Sequence, residues 1–357
     1  MVTPRFHPEV GGIENVVLNL AEGLVKRGHE VKVLTTTSEK EMLGEDVFND
    51  IRIERLRAFS PGNAYTFSSK LGRRVRDIAD DYDIIHAHGY HALPALNAYL
   101  NRANSRFILS TYYHRYSHNW FRNLLLLPYR AIAKRMVNNA NIVICITEAE
   151  RDLLKIDFEP QDCRVIHVGS EKLKPLNSKK DERNVVIIGR LERYKNIHAG
   201  ILSISKIEGL MADIIGTGPE TDRLEELVRR KQLVNRVNFH GFLEEPEKNA
   251  ILSEALCLLT LSDYESFGIV IIEAANFGID VIASDIPSHR EIAEVLEEGV
   301  CLVNQNDIDG VADAIRNTIK SEKKNKPRVE RFTWDYLVEL NRANNSSGVF
   351  VSLVVNL

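Results

Sequence analysis

Two glutamates eight positions apart flank a stretch of the chain that has the composition of an anion site. In Asp263–Glu273 a polar turn with Glu265 leads into an apolar run that ends at Glu273. We expect the N–H groups at 266–269 to open a helix, and a helix N-terminus attracts phosphate. If the segment is wholly helical, its rise separates the two carboxylates by roughly 12 Å. The order of carboxylate, N–H cluster and carboxylate fits a sugar, a diphosphate and a ribose.

The alternative is that Glu265 is a solvated turn residue and Glu273 a surface helix residue. Glu273, however, lies between Ile272 and Ala274 in a run that is apolar nearly all round the helix, which predicts burial. A buried carboxylate is costly without a ligand or a partner. We therefore expect Glu273 to have one of the two.

Two cations follow a predicted strand in the same half of the chain. Arg190 and Lys195 lie within the segment Gly189–Asn196. They can converge on one anion, with the guanidinium as a fork and the ammonium as a point charge, as a diphosphate leaving group requires. The alternative is a pair of ordinary surface cations in a loop.

The elements that position these residues alternate between strand and helix. Apolar residues from Ile13 to Leu24 recur at helical spacing and stop before Gly28. Strands are predicted at 31–34, 51–53, 83–87, 107–110, 142–146, 185–188, 212–215, 237–239, 257–260, 280–283 and 300–303. In the second half, helices are predicted near 196–207, 219–233, 246–254, 268–277, 288–295 and 307–320.

This alternation indicates parallel sheets, which bind ligands beyond the carboxyl ends of their strands. We predict two Rossmann-like, doubly wound α/β domains that face a central cleft. The first covers 1–171 and the second 184–330, joined by a polar linker at 172–183. Because only Met1–Pro4 precede the first loop, we expect a short strand in a central position unless the sequence begins late.

Composition narrows the class of protein. The 357 residues suggest about two domains. Lys and Arg number 46 against 50 Asp and Glu, a net charge of -4, so no basic field attracts nucleic acid. The thiols Cys145, Cys163, Cys257 and Cys301 are far apart without metal-ligand spacing, so we expect reduced cysteines and a cytoplasmic protein. We find no export signal and no apolar run of the ~18 residues that span a bilayer.

A nicotinamide cofactor is not indicated. Gly11-Gly12 lacks the G-x-G-x-x-G spacing of dinucleotide-binding loops, and the segment from Gly216 to Pro219 has no third glycine.

Motifs over nearly the whole chain resemble the retaining GT-B glycosyltransferases of family 4, the glycosyl transferases group 1. These enzymes transfer a sugar from a nucleotide sugar. The motifs are FHPEVGGIENVVLNLAEGLVKRGHEVKVLTT at 6–36, DIIHAHG at 83–89, IIGRLERYKN at 187–196, IIGTGPE at 214–220, VNFHGFL at 237–243 and the E-x7-E element ESFGIVIIE at 265–273. The resemblance implies the GT-B fold and transferase activity.

The resemblance also implies roles for particular residues. Arg190 and Lys195 would bind the donor diphosphate, Glu265 the transferred sugar and Glu273 the ribose hydroxyls. Gly11-Gly12 would approach the phosphate from the first domain, and the base would lie against the Gly241–Leu243 turn. The implied donor-binding set is Gly11, Gly12, Gly189, Arg190, Lys195, Gly216, Phe242, Leu243, Glu265, Ser266, Phe267, Gly268, Ile269 and Glu273. The catalytic set is Glu265, Arg190, Lys195 and His114.

The family usually has a histidine after the fourth strand of the first domain, near the reacting sugar. Here the run is Ser110-Thr111-Tyr112-Tyr113-His114, and one alignment places Tyr112 there while another places His114. We favour His114. The acceptor-side candidates are His86, His88, Tyr112 and Arg115. The alternative for the histidines is a structural or solvated role.

A basic region in the first domain bears on the acceptor. From Ile84 to Thr147, 64 residues contain no Asp or Glu. Within 119–136, Trp120 and Phe121 lie beside Arg122, a mixture suited to contact with an anionic membrane surface. A lipid-linked or phosphorylated acceptor follows from that interpretation, and the alternative is a core helix with solvated ends. The acceptor expected overall is a sugar or a lipid-linked molecule.

Together these expectations describe a retaining glycosyltransferase of cell-surface polysaccharide or glycolipid synthesis. The resemblance implies a UDP- or GDP-linked sugar as donor, with no further cofactor and no metal, because enzymes of this family generally need no divalent metal. The rival interpretations are a sugar-nucleotide epimerase or hydrolase on the same fold, and a non-catalytic nucleotide-sugar-binding protein. A return helix is predicted at 331–342, and the tail 343–357 has no assigned role.

Overall fold

The computed structural model describes residues 1–9, 11–59, 66–113, 120–169, 183–321 and 329–332, except for the side chains of 120–128 and 331. These residues form two compact units, of which the first runs to Val168 and the second begins at Gly169. The predicted linker before Arg183, the predicted return helix beyond Phe332, and the tail at 343–357 lie outside the described residues.

The first unit alternates strands and helices. Its strands are β1 (Lys32–Thr37), β2 (Gly44–Phe48), β3 (Ile51–Arg57), β4 (Ile84–His88), β5 (Arg106–Ser110), β6 (Ile142–Cys145) and β7 (Cys163–Val165). Its helices are α1 (Gly12–Val25), α2 (Leu71–Ile78), α3 (Leu93–Asn101), α4 (Trp120–Asn138) and α5 (Glu148–Asp157).

A short N-terminal segment joins two groups of strands in this unit. Strands β2, β3 and β1 form one group, and β4 to β7 form a parallel second group. Val2 pairs in parallel with both Leu34 of β1 and Ala87 of β4. Its amide donates to the His86 carbonyl at 2.8 Å, and its carbonyl accepts from the His88 amide at 2.9 Å. Met1–Thr3 therefore provide the short central strand, and the first turn of α1 follows soon after it.

The second unit repeats the alternation. Its strands are β8 (Asn184–Ile188), β9 (Met211–Ile215), β10 (Val237–Gly241), β11 (Cys257–Thr260), β12 (Asp280–Ser284) and β13 (Val300–Val303). Its helices are α6 (Ile197–Ser205), α7 (Thr221–Arg230), α8 (Glu245–Glu254), α9 (Ile269–Asn276), α10 (Pro287–Leu296) and α11 (Ile308–Lys320). A 3-10 turn, Val329–Phe332, follows.

The second sheet has a point where the strand order reverses. Its six parallel strands lie in the order β10-β9-β8-β11-β12-β13. The chain adds β9 and β10 on one side of β8, then returns to add β11, β12 and β13 on the other side. Ile187, Ile214 and Leu259 on this sheet pack with Ile201 of α6 in the buried core. In open α/β sheets the crevice beyond the carboxyl ends of the two strands at such a reversal is the usual ligand site.

The predicted strand and helix alternation is confirmed, with three differences. Strands β2 and β7 are absent from the sequence-based prediction, because β2 is polar and exposed over Gly44–Val47 and β7 has only three residues. Helix α9 begins at Ile269, one residue after the predicted start at 268, so the segment 265–273 is not wholly helical and the conditional 12 Å estimate does not apply. The cause is Gly268, whose φ of 107° is left-handed and cannot continue a right-handed helix.

Candidate functional site

Two loops of the second unit meet at the reversal of strand order. The β8–α6 loop contains Lys195, and the β11–α9 loop contains Glu265. The Asp263 amide donates to the Tyr194 carbonyl at 2.8 Å, and the Asn196 side chain donates to Asp263 Oδ1 at 2.5 Å. The rings of Tyr194 and Tyr264 stack with centroids 4.4 Å apart. Backbone, side-chain and aromatic contacts thus hold the two loops together.

Lys195 and Glu265 form an ion pair across these loops. The Lys195 ammonium group donates to Oε1 of Glu265, and each side chain is 17% exposed. The Ser262 hydroxyl donates to the same oxygen at 2.9 Å. Within the described part of the chain, Oε2 of Glu265 accepts no hydrogen bond. One carboxylate oxygen is held by the protein, and the other is available to a ligand hydroxyl.

Glu273 also has a lysine partner, which comes from another helix. Lys248 of α8 places Nζ 3.0 Å from Oε2 of Glu273 and 2.9 Å from Oε1 of Glu245. Burial raises the pKa of Glu273, and the positive charge of Lys248 opposes that rise. Burial lowers the pKa of Lys248, but Glu273 and Glu245 more than offset it, so the net direction is upward. The Glu273 side chain is largely buried, with 15% exposed, and its partner is Lys248.

Arg190 lies at the exposed edge of the β8–α6 loop. Its guanidinium is 2.9 Å from Glu192, and 70% of its side chain is exposed. Arg190 and Lys195 therefore have different carboxylate partners, Glu192 and Glu265. An exposed ion pair is weak, so Arg190 can turn to another anion at little cost.

The start of α9 differs from the expected row of free N–H groups at 266–269. Ser266 is exposed, Phe267 is buried against Phe332 with ring centroids 6.0 Å apart, and Gly268 caps the helix. The Ile271 amide donates to the Gly268 carbonyl at 2.9 Å. The first helical amides are thus those of Ile269 and Val270. Phe267 belongs to the loop, but its side chain packs in the core.

Gly216 fits a tight contact between two strand ends. Its φ is 136°, and a Cβ built there would lie 1.9 Å from the carbonyl oxygen of Gly189. Only glycine fits this arrangement. At Gly12, by contrast, a Cβ would meet nothing within 4 Å, so the fold itself does not require glycine there. At Gly11, whose φ of -174° is ordinary extended backbone, a Cβ would meet the mobile end of Glu14.

The predicted base-binding turn ends β10 and leads directly into α8. Phe242 is 56% exposed and Leu243 is partly buried. Glu244, the next residue, caps α8 through a capping box with Glu247. The turn therefore presents an aromatic ring beside the helix that carries Lys248.

The histidines of the first unit lie at the end of β4 and are buried. His86 Nε2 is 2.9 Å from the Ser110 hydroxyl, and His88 Nδ1 is 3.2 Å from the Tyr112 hydroxyl. Burial, with the nearby N-terminal amine, lowers the pKa of His86 to about 3. Burial and His86 lower the pKa of His88 well below its usual value. His114 and Arg115 lie outside the described residues.

The segment that leads to His114 is fixed by a carboxylate that the sequence-based analysis missed. Glu150 of α5 accepts hydrogen bonds from the Thr111 hydroxyl at 2.5 Å, the Tyr113 amide at 2.5 Å and the Ile146 amide at 2.7 Å. The Glu150 amide in turn donates to Thr147, the N-cap of α5, at 3.0 Å. The available signal was the T-x-x-E sequence of a capping box.

Helix α4 contains most of the region 119–136 that was considered for membrane contact. Its described C-terminal half is amphipathic: Ala133 and Met136 are fully buried, whereas Ile132, Lys134 and Arg135 are exposed. No helix among the described residues has the length and apolar character to cross a bilayer. Within that same part of the chain, no cluster of three or more His, Cys, Asp or Glu side chains has the spacing of a metal site.

Lys248 and Ser262 are the site residues that sequence reasoning did not find in the second unit. Lys248 directly follows an acidic stretch, Glu244–Glu247. Beside these carboxylates a lysine is expected to be an exposed residue that balances their charge. Its partner is 25 residues away in sequence, and pairing across helices leaves no local signal. Ser262 precedes Glu265 by three residues, a spacing with no distinctive motif.

Several known proteins resemble this chain in sequence and in fold. A curated relative, the phosphatidylinositol N-acetylglucosaminyltransferase gpi3 subunit of Schizosaccharomyces pombe, is 25% identical over 347 residues, which cover 93% of this chain and 75% of that protein. The sucrose-phosphate synthase structure from Thermosynechococcus elongatus matches with a TM-score of 0.77 at 22% identity, over 96% of this chain and 97% of that one. Anabaena HepE in complex with UDP and glucose matches with a TM-score of 0.71 at 19% identity, over 96% and 97%.

Both structural neighbours establish the GT-B fold of this chain. The family model for Glycosyltransferase Family 4 matches residues 10–170, and that for Glycosyl transferases group 1 matches residues 170–331. The two matches are consecutive and contain the loops, ion pairs and helix starts described above. The chain is therefore a glycosyltransferase of family 4, in the glycosyl transferases group 1.

Proposed function

We propose that this glycosyltransferase moves a sugar from a nucleoside diphosphate to an acceptor hydroxyl with retention of anomeric configuration. The observation that carries the proposal is the Lys195–Glu265 ion pair at the reversal of strand order, beside the first amides of α9. A cation, a carboxylate with one open oxygen, and free amides are the groups that a sugar diphosphate requires.

Leaving-group stabilisation is the main catalytic effect in this proposal. The departing diphosphate gathers negative charge, which Arg190, Lys195 and the N-terminus of α9 meet. Lys195 then exchanges Glu265 for a phosphate oxygen, and Glu265 is left to accept a hydroxyl of the transferred sugar. Arg190 exchanges its exposed partner Glu192 in the same way.

The acceptor is assigned to the first unit, where the proposed acceptor-side residues are His86, His88, Tyr112 and Arg115. His114 is the proposed catalytic residue of that unit, and Gly11 and Gly12 are proposed to approach the donor phosphate. The acceptor hydroxyl gives its proton to the leaving phosphate, so the reaction needs no strong protein base. His86 and His88 suit a positioning role in this scheme, because burial holds their pKa values below the physiological range.

The donor is proposed to be UDP- or GDP-linked, and UDP is the first nucleotide to test because HepE is in complex with it. Arg190 and Lys195 neutralise the diphosphate in this proposal, so activity is expected to be unchanged by EDTA. Further proposed contacts with the donor are Gly189, Gly216, Phe242, Leu243, Ser266, Phe267, Gly268, Ile269 and Glu273.

Product analysis tests the proposal. The protein is incubated with a panel of UDP- and GDP-sugars, first alone and then with membrane lipid extract, and products are identified by mass spectrometry and NMR. The expected result is acceptor-dependent transfer with the donor's anomeric configuration. Epimerised or free sugar without acceptor would indicate an epimerase or a hydrolase. Nucleotide binding with no release of sugar under any condition would indicate a binding protein.

We extend the proposal to a lipid-linked acceptor in cell-surface polysaccharide or glycolipid synthesis at the cytoplasmic membrane face. The exposed Ile132, Lys134 and Arg135 of α4, and the glycolipid enzyme among the relatives, support it. Flotation with vesicles is the test. Phosphatidylglycerol vesicles should bind the protein, phosphatidylcholine vesicles should not, and Lys134→Gln with Arg135→Gln should weaken binding. Equal recovery with both vesicles would remove this part of the proposal.

A further inference from the structure

Lys248 is a buried cation with no place in the donor-binding set. Only 9% of the residue is exposed, and its Nζ lies between Oε2 of Glu273 and Oε1 of Glu245. The two carboxylates differ, because the Glu273 side chain is 15% exposed whereas that of Glu245 is 57% exposed. The Lys248–Glu273 pair is therefore the one that is shielded from solvent.

Stability is a weak explanation for the Lys248–Glu273 pair. Removing two charges from water offsets most of their attraction, and apolar residues of similar volume often serve a core equally well. The neighbours Ile271, Ile272 and Ala274 are fully buried, so an apolar side chain at 273 would suit its surroundings. The presence of a charged pair in this apolar surrounding therefore indicates a functional role rather than a stabilising one.

The geometry of Glu273 indicates that role. Lys248 holds Oε2, while Oε1 accepts no hydrogen bond from the described residues. The carboxylate is fixed at one oxygen and open at the other, as Glu265 is beside Lys195. An ionised carboxylate can accept two hydroxyl donors, whereas a protonated one gives up part of that capacity.

Helix α8 places Lys248 accurately. The capping box of Glu244 with Glu247 fixes the first turn, and Pro246 is compatible with that turn. The same helix directly follows the exposed Phe242 turn. Helix α8 thus begins at the turn assigned to the base and carries the lysine that holds the carboxylate assigned to the ribose.

We propose that Lys248 is a positioning residue that keeps Glu273 ionised and directs its free oxygen to the ribose hydroxyls of the donor nucleotide. The inference rests on the proposed function, which assigns the ribose to Glu273. It adds a residue outside the E-x7-E element and gives it a measurable effect on discrimination between ribose and deoxyribose.

The test compares the dissociation constants of UDP and 2′-deoxy-UDP by calorimetry, or of the guanine pair if only GDP binds. The wild-type protein should prefer the ribonucleotide by at least ~10-fold, as expected for a hydrogen bond to a charged group. Lys248→Met should reduce that ratio to about threefold or less, through weaker ribonucleotide binding with the deoxynucleotide affinity unchanged. Lys248→Arg, which keeps the charge, should restore most of the ratio.

Glu245→Gln is the matched control, because it removes the exposed partner of the same ammonium group and should leave the ratio at the wild-type value. A folded Lys248→Met protein with the wild-type ratio would overturn the inference while the proposed function stands. Wild-type protein that binds neither UDP nor GDP would overturn both. Lys248→Gln is the second variant if Lys248→Met does not fold, and failure of both to fold would assign the pair to stability and so overturn the positioning role.

Discussion

The ammonium group of Lys195 is hydrogen-bonded to Oε1 of Glu265, 70 positions further along the chain. The pair joins the loops that follow β8 and β11, the two strands at which the order of the sheet reverses. Each charge is largely removed from solvent, so each depends on the other until a ligand replaces one of them. The pair therefore places a cation and a carboxylate together, with compensated charge, where the order of the sheet reverses.

Lys195→Ala should abolish sugar transfer and leave the chain folded. We expect a loss of at least ~100-fold in kcat/KM, because the charge that meets the leaving diphosphate is gone. Glu273→Ala should have a comparable effect through the nucleotide. Initial rates with a radiolabelled donor measure the loss, and circular dichroism verifies folding. Arg193→Ala is the control, since that exposed neighbour makes no side-chain hydrogen bond or ion pair among the described residues. Full activity of Lys195→Ala or Glu273→Ala would remove the site assignment.

Gly216→Ala and Gly12→Ala should separate a folding requirement from a ligand requirement. Gly216→Ala places Cβ against the Gly189 carbonyl and should destabilise the protein by more than about 3 kcal/mol. Gly12→Ala meets open space, so its free energy of unfolding should stay within about 1 kcal/mol of wild type while transfer falls. Urea denaturation and transfer rates measure the two effects. A fully active Gly12→Ala enzyme would show that no phosphate approaches that backbone.

Glu150→Ala should destabilise the first unit by more than about 3 kcal/mol, because the Thr111 hydroxyl and two buried amides lose their acceptor. Transfer should fall with it, since the Tyr113 amide directly precedes His114. Glu148→Ala on the same helix is the control. Glu148 is 50% exposed in its pair with Arg151, so its removal should cost less than about 1 kcal/mol. Equal stabilities of the two variants in urea would contradict the role given to Glu150.

Stability should fall as the pH is lowered from 7 to 5, because of the buried histidines. Burial lowers the pKa of His86 to about 3, whereas the unfolded chain protonates this side chain near 6.5. Between those values only the unfolded state binds the proton, so acid favours unfolding by about 2 kcal/mol at pH 5 from His86 alone. Urea midpoints across this range measure the slope. His86→Gln should flatten it, and an unchanged slope in that variant would show that His86 is protonated in the folded protein.

The sequence predicts the architecture well because its signals are local. Strands such as 257–260 are short apolar runs between turn residues, and the structure has them at the same positions. The burial of Glu273 follows equally from its apolar neighbours on α9. The type of element a residue belongs to, and whether its side chain is buried there, can be predicted from the neighbouring sequence.

Partners from other elements cannot be recognised in that way. Lys248 approaches Glu273 only when α8 and α9 pack beside one another, and nothing in the acidic turn before it indicates the contact. The row of helix-opening N–H groups expected at 266–269 also differs from prediction, because the left-handed backbone of Gly268 makes Ile269 the first helical residue. The site therefore differs from its sequence-based prediction at the contacts between elements, where tertiary packing decides.

The close approach of Gly216 to the carbonyl of Gly189 restricts how this unit can evolve. A substitution at Gly216 destabilises the fold, so selection removes it whatever its effect on the choice of donor. Invariance at that glycine among descendants would follow from the geometry of two neighbouring strand ends, whether or not its backbone also contacts the donor. Divergence in donor choice must then arise at positions free of such contacts, of which the exposed ring of Phe242 is one.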